Sequence, residues 1–288
     1  MDITSEKLDY LVIGHITRDI VGDHFVTGGT VTYSSLVAHN LQFKTGIITA
    51  GKSDLKFPEQ LQAVPFLVKE SSVTATFENI ETEHGRIQLL HEIALPIYGQ
   101  DIPKFKFQPA IVHLGPLTDE VDISVLDAFP DSFIGLTPQG WMRTRDADHV
   151  VQYKEWEHAE AFLKRADAVV LSIEDVRGNR QLIADYASKT KILVLTEGYN
   201  GASVFWRGDV RSFSAPKVPV VDPTGAGDVF AAAFFTTYFS SKDPWEAAKK
   251  AVAIASDSVS RVGIEGVPTP EQMRSFQIEI IEGKYPNG

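Results

Sequence analysis

The chain contains no cysteine among its 288 residues, and it is short of positive charge. Without cysteine, disulfide bonds, thiolate catalysis and cysteine-ligated zinc are all excluded. The absence fits a reducing compartment, so we expect a cytoplasmic protein. Lys and Arg number 27 against 38 Asp and Glu, and the resulting net charge of −11 argues against nucleic acid as a partner.

Long apolar runs are missing as well. None reaches the roughly 18 residues of a membrane span, and the first residues, MDITSEKLDYLVIG, lack the pattern of a signal peptide. Short apolar runs typical of buried strands alternate with helical patterns, among them residues 30–40, 153–166 and 245–262. This alternation predicts a single α/β domain over residues 1–288, with a doubly wound, mainly parallel sheet flanked by helices.

The most informative stretch is VVDPTGAGDVFAAAFFTTYF, residues 220–239. After Asp222-Pro223-Thr224, the segment Gly225-Ala226-Gly227 is predicted to open a helix. The first amides of a helix lack intrahelical partners and lie at the positive end of its dipole, so this turn suits a phosphate. Asp228 falls in the first helical turn. A carboxylate beside an anion site can orient a hydroxyl and accept its proton during attack on a phosphoryl group.

The segment DPTGAGD resembles the second signature of the ribokinase-like, PfkB-type carbohydrate kinases. In that family the Gly-Ala-Gly amides hold the transferred phosphate and the following Asp is the catalytic base. The resemblance assigns these roles to Gly225, Ala226, Gly227 and Asp228. It implies the ribokinase-like fold, with ATP and Mg²⁺ as cofactors and a monovalent cation such as K⁺ as a further candidate.

An acceptor site is predicted near the amino terminus. Asp19, followed by Gly28-Gly29 at the start of a helical pattern, resembles the sugar-binding region of the family. There the Asp accepts hydrogen bonds from substrate hydroxyls, and the glycines let the backbone approach the sugar. Taken alone, Asp19 also fits a solvated turn. The family usually has Asn four residues after the second glycine, whereas this chain has Tyr33, which leaves the identity of the acceptor open.

A second loop is expected at the phosphate. Residues 137–143 follow a predicted strand and loosely resemble the family's Asp-Pro-Asn-x-x-Arg loop. Gln139 lies near the Asn position and Arg143 near the Arg position, where a guanidinium would neutralise phosphate charge. Open α/β sheets bind ligands at such strand ends. An ordinary surface arginine fits the same sequence equally well.

The nucleotide site is predicted from two further loops and one helix. Where the family often has Asn-x-x-Glu, this chain has Ser172 and Asp175, and we expect Asp175 to approach Mg²⁺ through water. Ser172 also fits a helix N-cap. The segment TEGYNG resembles the family's Thr-x-Gly-x-x-Gly nucleotide loop. The predicted nucleotide-binding residues are Ser172, Thr196, Gly198, Gly201, Thr224, Val252, Ala255 and Ser256.

A small sheet is predicted to cover the acceptor. Residues 15–27 and about 64–97 are strand-like, and the family carries a β lid over its substrate. Such a lid would exclude water from the reaction. An exposed sheet edge can pair with another chain, so a homodimer formed through the lid is a further expectation.

Residues 46–53, GIITAGKS, match the P-loop pattern G-x-x-x-x-G-K-[ST] in every position. A P-loop needs a strand before its first glycine and a helix after its lysine. Here Ile47-Ile48-Thr49 is itself typical of a strand, and Pro58 limits any following helix. We therefore predict that Lys52 does not bind a nucleotide.

These features predict a soluble ATP-dependent kinase that phosphorylates a hydroxyl of a small sugar or polyol, such as an inositol-like compound, a pentose or a hexose. A nucleoside kinase of the same fold is one alternative. A non-catalytic ligand sensor is another, although it would need neither Asp228 nor the turn Gly225-Ala226-Gly227, which we call the anion turn. A P-loop hydrolase would use Lys52 in place of Asp228. The sequence leaves the acceptor and the oligomeric state open.

Overall fold

The computed structural model describes residues 3–83 and 85–276. Within these ranges the chain forms fifteen strands: β1 (Tyr10–Ile13), β2 (Thr17–Val21), β3 (His24–Gly28), β4 (Thr45–Gly51), β5 (Phe66–Glu70), β6 (Ala75–Thr82), β7 (Gly85–Glu92), β8 (Ile111–Leu114), β9 (Phe133–Leu136), β10 (Arg143–Arg145), β11 (Val151–Tyr153), β12 (Ala168–Ser172), β13 (Ile192–Thr196), β14 (Ala202–Trp206) and β15 (Asp209–Phe213). The same residues form six α-helices: α1 (Thr30–Asn40), α2 (Ala159–Arg165), α3 (Arg180–Lys189), α4 (Ala226–Ser241), α5 (Pro244–Ser258) and α6 (Pro270–Ser275).

The main sheet has nine strands in the order β15-β14-β13-β12-β9-β8-β1-β4-β5. The seven strands from β13 to β5 in this order are parallel, and only β14 and β15 pair antiparallel. The predicted fold class, a doubly wound and mainly parallel sheet flanked by helices, is therefore confirmed.

Helices cover both faces of this sheet. Along β1, Tyr10 and Val12 join the core beneath α1, α4 and α5, whereas Leu11 and Ile13 join the core beneath α2 and α3. This alternation follows from the two-residue period of a strand. Helix α4 is apolar on almost every side because it lies between the sheet and its neighbours α1 and α5.

The strand order reverses direction beside β1. The chain passes from β1 to β4 and β5 on one side, and then returns to β8 on the other side. The loops that follow β1 and β8 therefore diverge at the carboxyl edge of the sheet, where α/β folds bind ligands. The two strand ends are close: a methyl group at Gly14 would lie 2.3 Å from the carbonyl oxygen of Gly115.

A separate four-stranded sheet has the order β3-β2-β6-β7 and corresponds to the predicted lid. The predicted extent of the lid was wrong at both ends of its second segment, because residues 64–70 and 93–97 do not belong to this sheet. Strand β5 pairs with β4 and extends the main sheet. A strand pattern shows that a segment is extended, but the pairing partner is decided by tertiary contacts.

The predicted helices differ in how well their limits were anticipated. Residues 30–40 coincide with α1, and residues 245–262 correspond to α5, which ends at Ser258. The helix predicted over 153–166 begins only at Ala159. Tyr153, where this helix was predicted to begin, instead belongs to strand β11, which pairs with β10 in a hairpin.

The segment that matches the P-loop pattern is a strand, as predicted. Strand β4 runs from Thr45 to Gly51 and pairs with β1 on one side and with β5 on the other. The residues that would form a phosphate-binding loop are therefore part of the main sheet. Lys52 then enters a turn, in which the Leu55 amide donates to the Lys52 carbonyl at 3.1 Å. The hypothesis of a P-loop hydrolase thus loses its structural basis.

In the parts of the chain that the structure describes, the helices are too short or too polar to traverse a bilayer.

Candidate active site

The amino-terminal end of α4 lies behind a turn that is held by Asp222. The Asp222 carboxylate accepts hydrogen bonds from the Thr224 amide at 2.9 Å and from the Gly263 amide at 2.8 Å. Gly225 is the N-cap, with φ +78°, a conformation that strongly favours glycine. The Ala226 amide donates to the Pro223 carbonyl at 3.2 Å within the turn. A ligand would therefore share this amide with the turn, while the next amides of α4 lie at the positive end of the helix dipole.

Asp228 lies in the first turn of α4 with its carboxylate toward this site. The Thr30 hydroxyl and the Arg143 guanidinium lie near it and favour its ionised form. Burial opposes ionisation more strongly than these two groups favour it, and the pKa of Asp228 is raised to about 6. Such a carboxylate is ionised at neutral pH but holds a proton well, as a general base requires.

Arg143 joins two acidic groups from different elements. It faces both Asp228 and Asp175, which follows β12. The Asp175 carboxylate accepts from Gln139 Nε2 at 3.1 Å and from the Ser172 amide at 2.8 Å. Burial raises the pKa of Asp175, against the hydrogen bonds and Arg143 that lower it. Four of the predicted site residues therefore form one cluster with Asp228.

Asp19 and the glycine pair also lie together, as the resemblance implies. The Asp19 carboxylate accepts from the Thr17 hydroxyl at 2.9 Å. A methyl group at Gly28 would lie 2.5 Å from Asp19 Oδ2, so a larger residue there would displace this carboxylate. Gly29, with φ +91°, begins α1 against the backbone of His15. The lid strand β2 thus carries Asp19 to the start of α1.

Tyr33 lies between Asp19 and the turn at the start of α4. A methyl group at Gly225 would lie 2.4 Å from Cδ1 and Cε1 of the Tyr33 ring, so the ring packs directly on the anion turn. The Tyr33 side chain is 4% exposed. Burial raises the pKa of its phenol well above the ordinary value, and Asp222, Asp228 and Asp19 add to the rise.

The predicted nucleotide residues have varied surroundings. Ser172 and Thr196 are register partners at the ends of β12 and β13, and the Ser172 hydroxyl accepts from the Glu174 amide at 3.2 Å, which is a local turn contact. Gly198 has φ +56° and an open surrounding. A methyl group at Gly201 would lie 1.9 Å from the Phe213 carbonyl oxygen. Close backbone packing alone therefore explains why this position is glycine.

Helix α5 reaches the anion turn through its last residues. The Val259 carbonyl accepts from the Val221 amide at 2.8 Å and from the Asp222 amide at 3.1 Å. Ser256 is buried and Ala255 packs on the core, about one turn before this contact. Val252 is a core residue that is 6% exposed, which leaves little of it for a ligand.

Thr30 was not predicted from the sequence. It is 2% exposed, and its hydroxyl lowers the pKa of Asp228 against the effect of burial. Thr30 precedes Tyr33 by three residues on α1, and this spacing puts both on one helix face. The spacing could have identified Thr30 once Tyr33 was a candidate. Ser34 was also missed, and its hydroxyl donates to the Asp228 carbonyl at 3.2 Å.

The donor set restricts how a metal could bind. Within residues 3–83 and 85–276, no group of three His, Asp or Glu side chains is arranged to hold a metal ion. Mg²⁺ commonly keeps several waters and binds through one or two carboxylates plus substrate phosphates. Asp175 and Asp228 fit that mode.

Comparison with known proteins agrees with this geometry. Residues 156–271, which include Asp175, the anion turn and Asp228, match the model of the pfkB family carbohydrate kinases. The resemblance to PfkB-type kinases is confirmed. A 2-dehydro-3-deoxygluconokinase of Thermoproteus tenax is 43% identical over 81 residues, which is 28% of this chain and 25% of that protein. A cytidine kinase of Thermococcus kodakarensis is 26% identical over 80% of this chain and 88% of that protein.

Solved structures agree on the fold. A pyrophosphate-dependent kinase in the ribokinase family, complexed with a pyrophosphate analog and myo-inositol, superposes with a TM-score of 0.77 at 23% identity, over 92% of this chain and 99% of that one. The Arabidopsis thaliana ribokinase complexed with ribose and ATP superposes with a TM-score of 0.69 at 18% identity, over 94% of this chain and 99% of that one. The predicted ribokinase-like fold is confirmed by these superpositions, and the kinases named among the relatives support the predicted class of carbohydrate or nucleoside kinase.

Proposed function

We propose that the chain is an ATP-dependent kinase that transfers the γ-phosphate to a hydroxyl of a small sugar or polyol. The observation that carries this proposal is Asp228, a half-buried carboxylate in the first turn of α4, faced by Thr30 and Arg143. It lies next to amides at the positive end of the helix. A base and an anion site thus adjoin, which is the combination that phosphoryl transfer needs.

Each residue of the candidate site has a separate role in the proposed reaction. Asp228 accepts the proton of the acceptor hydroxyl as the hydroxyl oxygen forms its bond to the γ-phosphorus, and the bond between that phosphorus and the leaving ADP oxygen breaks. The amides of Gly225, Ala226 and Gly227 and the Arg143 guanidinium stabilise charge on the transferred group. Thr30 holds the carboxylate in position. Bound Mg²⁺, held by the phosphates and by Asp175 through water, would supply further positive charge.

The acceptor is held from the lid side. Asp19 would accept hydrogen bonds from acceptor hydroxyls, and Gly28 and Gly29 allow close approach of the backbone. The four-stranded lid would close over the acceptor and exclude water. Hydrogen exchange tests this: acceptor at saturation should raise amide protection over residues 73–83, and unchanged protection would count against a closing lid.

Two alternatives have specific support. A nucleoside acceptor is favoured by the match to a cytidine kinase over most of that protein's length. Pyrophosphate as the donor is favoured by the likeness to the pyrophosphate-dependent kinase, which exceeds the likeness to the ribokinase complexed with ATP. Both alternatives keep the roles of Asp228 and the anion turn.

The test is a matrix of donors and acceptors. ATP and pyrophosphate, each with Mg²⁺ and with or without K⁺, are combined with inositols, pentoses, hexoses and nucleosides, and phosphorylated product is quantified. We expect ATP with a sugar or polyol to give the highest kcat/KM. A preference for pyrophosphate or for nucleosides would replace that part of the proposal.

Asp228→Asn keeps the shape of the side chain but cannot take the proton. With the best pair of substrates we expect kcat to fall at least about 100-fold. ATP binding by calorimetry should hold, because the variant removes negative charge near the phosphate. Turnover within five-fold of the wild type would exclude Asp228 as the base.

A further inference from the structure

Tyr33 occupies the centre of the candidate site without a structural partner for its hydroxyl. Its ring packs on Gly225, and its side chain is 4% exposed. Among the residues that the structure describes, no protein group forms a hydrogen bond with the Tyr33 hydroxyl. The hydroxyl oxygen is not among the fully buried polar atoms that lack a partner, so it is open to the site and not enclosed in the core. A ligand is therefore the natural partner of this hydroxyl.

The surroundings of Tyr33 indicate what kind of group the hydroxyl meets. Asp222, Asp228 and Asp19 all act on the phenol electrostatically, and these carboxylates belong to the anion turn, the base and the acceptor side. Burial and these negative charges keep the phenol protonated, so it can donate a hydrogen bond throughout the reaction. The phosphoryl group is the part of the substrates that passes between the acceptor side and the anion turn.

Packing alone gives an incomplete reason for a tyrosine at this position. The ring fills the space above Gly225, and a phenylalanine would fill it equally well without a hydroxyl. A hydrogen bond made only when a phosphate is present would explain why the polar group is there.

We propose that the Tyr33 hydroxyl donates a hydrogen bond to the phosphoryl group in transit, and that Tyr33 is thus a catalytic residue as well as a wall of the acceptor site. The inference rests on the proposed kinase function. Tyr33 forms and breaks no covalent bond and keeps its proton, while Asp228 takes the proton of the acceptor. Its hydrogen bond adds to the charge stabilisation by Arg143 and the α4 amides.

The test compares Tyr33→Phe with the wild type and with Tyr186→Phe. Tyr186 on α3 is also 4% exposed, in the core on the opposite face of the sheet, so its variant controls for loss of a phenol hydroxyl from a buried residue. Calorimetry measures the binding of inorganic phosphate, and steady-state kinetics use the best acceptor and donor. A hydrogen bond to a charged group corresponds to a loss of about tenfold or more when it is removed.

We expect Tyr33→Phe to weaken phosphate binding and to lower kcat, each by about tenfold, with a smaller change in the acceptor KM and an unchanged Tm. Tyr186→Phe should leave phosphate binding as it is. The inference is overturned if Tyr33→Phe binds phosphate like the wild type, if only the acceptor KM changes, or if the wild type binds no phosphate. A wild type that binds phosphate but phosphorylates no acceptor would refute the proposed function alone, because the phosphate comparison still tests Tyr33.

Discussion

At the scale of single residues, Asp228 combines a role in the proposed chemistry with a cost in folding. Burial raises its pKa to about 6, while Thr30 and Arg143 favour the ionised form. The carboxylate must lose its proton before it can act as a base. Two consequences can be measured, one in the rate and one in the stability.

The first prediction concerns the pH dependence of the rate. The profile of kcat/KM reports ionisations of the free enzyme and substrate, so it should rise with pH up to about 6 and level above that value. The measurement is kcat/KM from pH 5 to 8 with the best acceptor and donor. Asp228→Asn is the control, since its residual activity should lack this limb while any ionisation of the substrates persists. A wild-type profile that stays flat across the range would contradict the prediction.

The second prediction concerns stability. Because the folded-state pKa of Asp228 lies above the ordinary value near 3.9, the folded state binds the proton more tightly, and stability is lost as the pH rises through about 6. The two values correspond to at most about 3 kcal/mol, less where solvent screens the carboxylate. Asp228→Asn should therefore unfold at a higher temperature than the wild type at pH 7.5. At pH 4.5 this advantage should shrink; an equal difference in Tm at both pH values would exclude the linkage.

At the scale of elements, the start of α4 depends on two glycines for different reasons. Gly225 has φ +78° and lies against the Tyr33 ring, so a side chain there is strained twice. Gly227 has open space around its Cα, and its backbone is helical. The fold therefore requires glycine at Gly225, whereas the space beside Gly227 is open to a ligand.

Paired substitutions separate these two requirements. Gly225→Ala should lower the free energy of unfolding by about 1–3 kcal/mol, because it combines backbone strain with a clash against Tyr33. Gly227→Ala should keep or slightly raise Tm, since alanine favours a helix by up to about 1 kcal/mol. It should still weaken phosphate binding, because its methyl group extends into the open space beside the helix amides. Equal loss of stability in both variants, measured by thermal unfolding, would contradict this division.

At the scale of the whole molecule, the lid presents apolar side chains to solvent. Phe25, Ile80 and Ile87 are 56%, 38% and 40% exposed. The cross-strand pairs Ile20–Phe25 and Ile80–Ile87 put these side chains on the face of the lid opposite to Asp19. An exposed apolar face of this kind favours association. We propose that two copies of the chain pair through this face.

Sedimentation velocity tests the dimer. The wild type should sediment as a dimer at about 10 μM, a concentration that exceeds a dissociation constant of about 1 μM, and Ile80→Lys should sediment as a monomer. Val210→Lys is the matched control: Val210 is 55% exposed on β15, at the far edge of the main sheet, and its variant should remain dimeric. A monomeric wild type, or dimerisation that survives Ile80→Lys, would refute the proposal.

The sequence by itself determined those features that depend on neighbouring residues. The turn from Asp222 to Gly227 and the helix after it were predictable, because glycine conformations, helix amides and dipoles act over a few residues. The alternation of strands and helices predicted the parallel sheet, and helix α1 was located at residues 30–40. The P-loop pattern was rejected for the same local reason, since its middle residues favour a strand.

Only the tertiary structure decided what these parts contact. It paired β5 with β4 and kept residues 64–70 out of the lid, joined Thr30 to Asp228 across nearly 200 residues of chain, and laid the Tyr33 ring on Gly225. The pKa of Asp228 also depends on such distant groups, because burial and Arg143 act through space. Local patterns carry no information on which segments meet, so the composition of the site follows from packing.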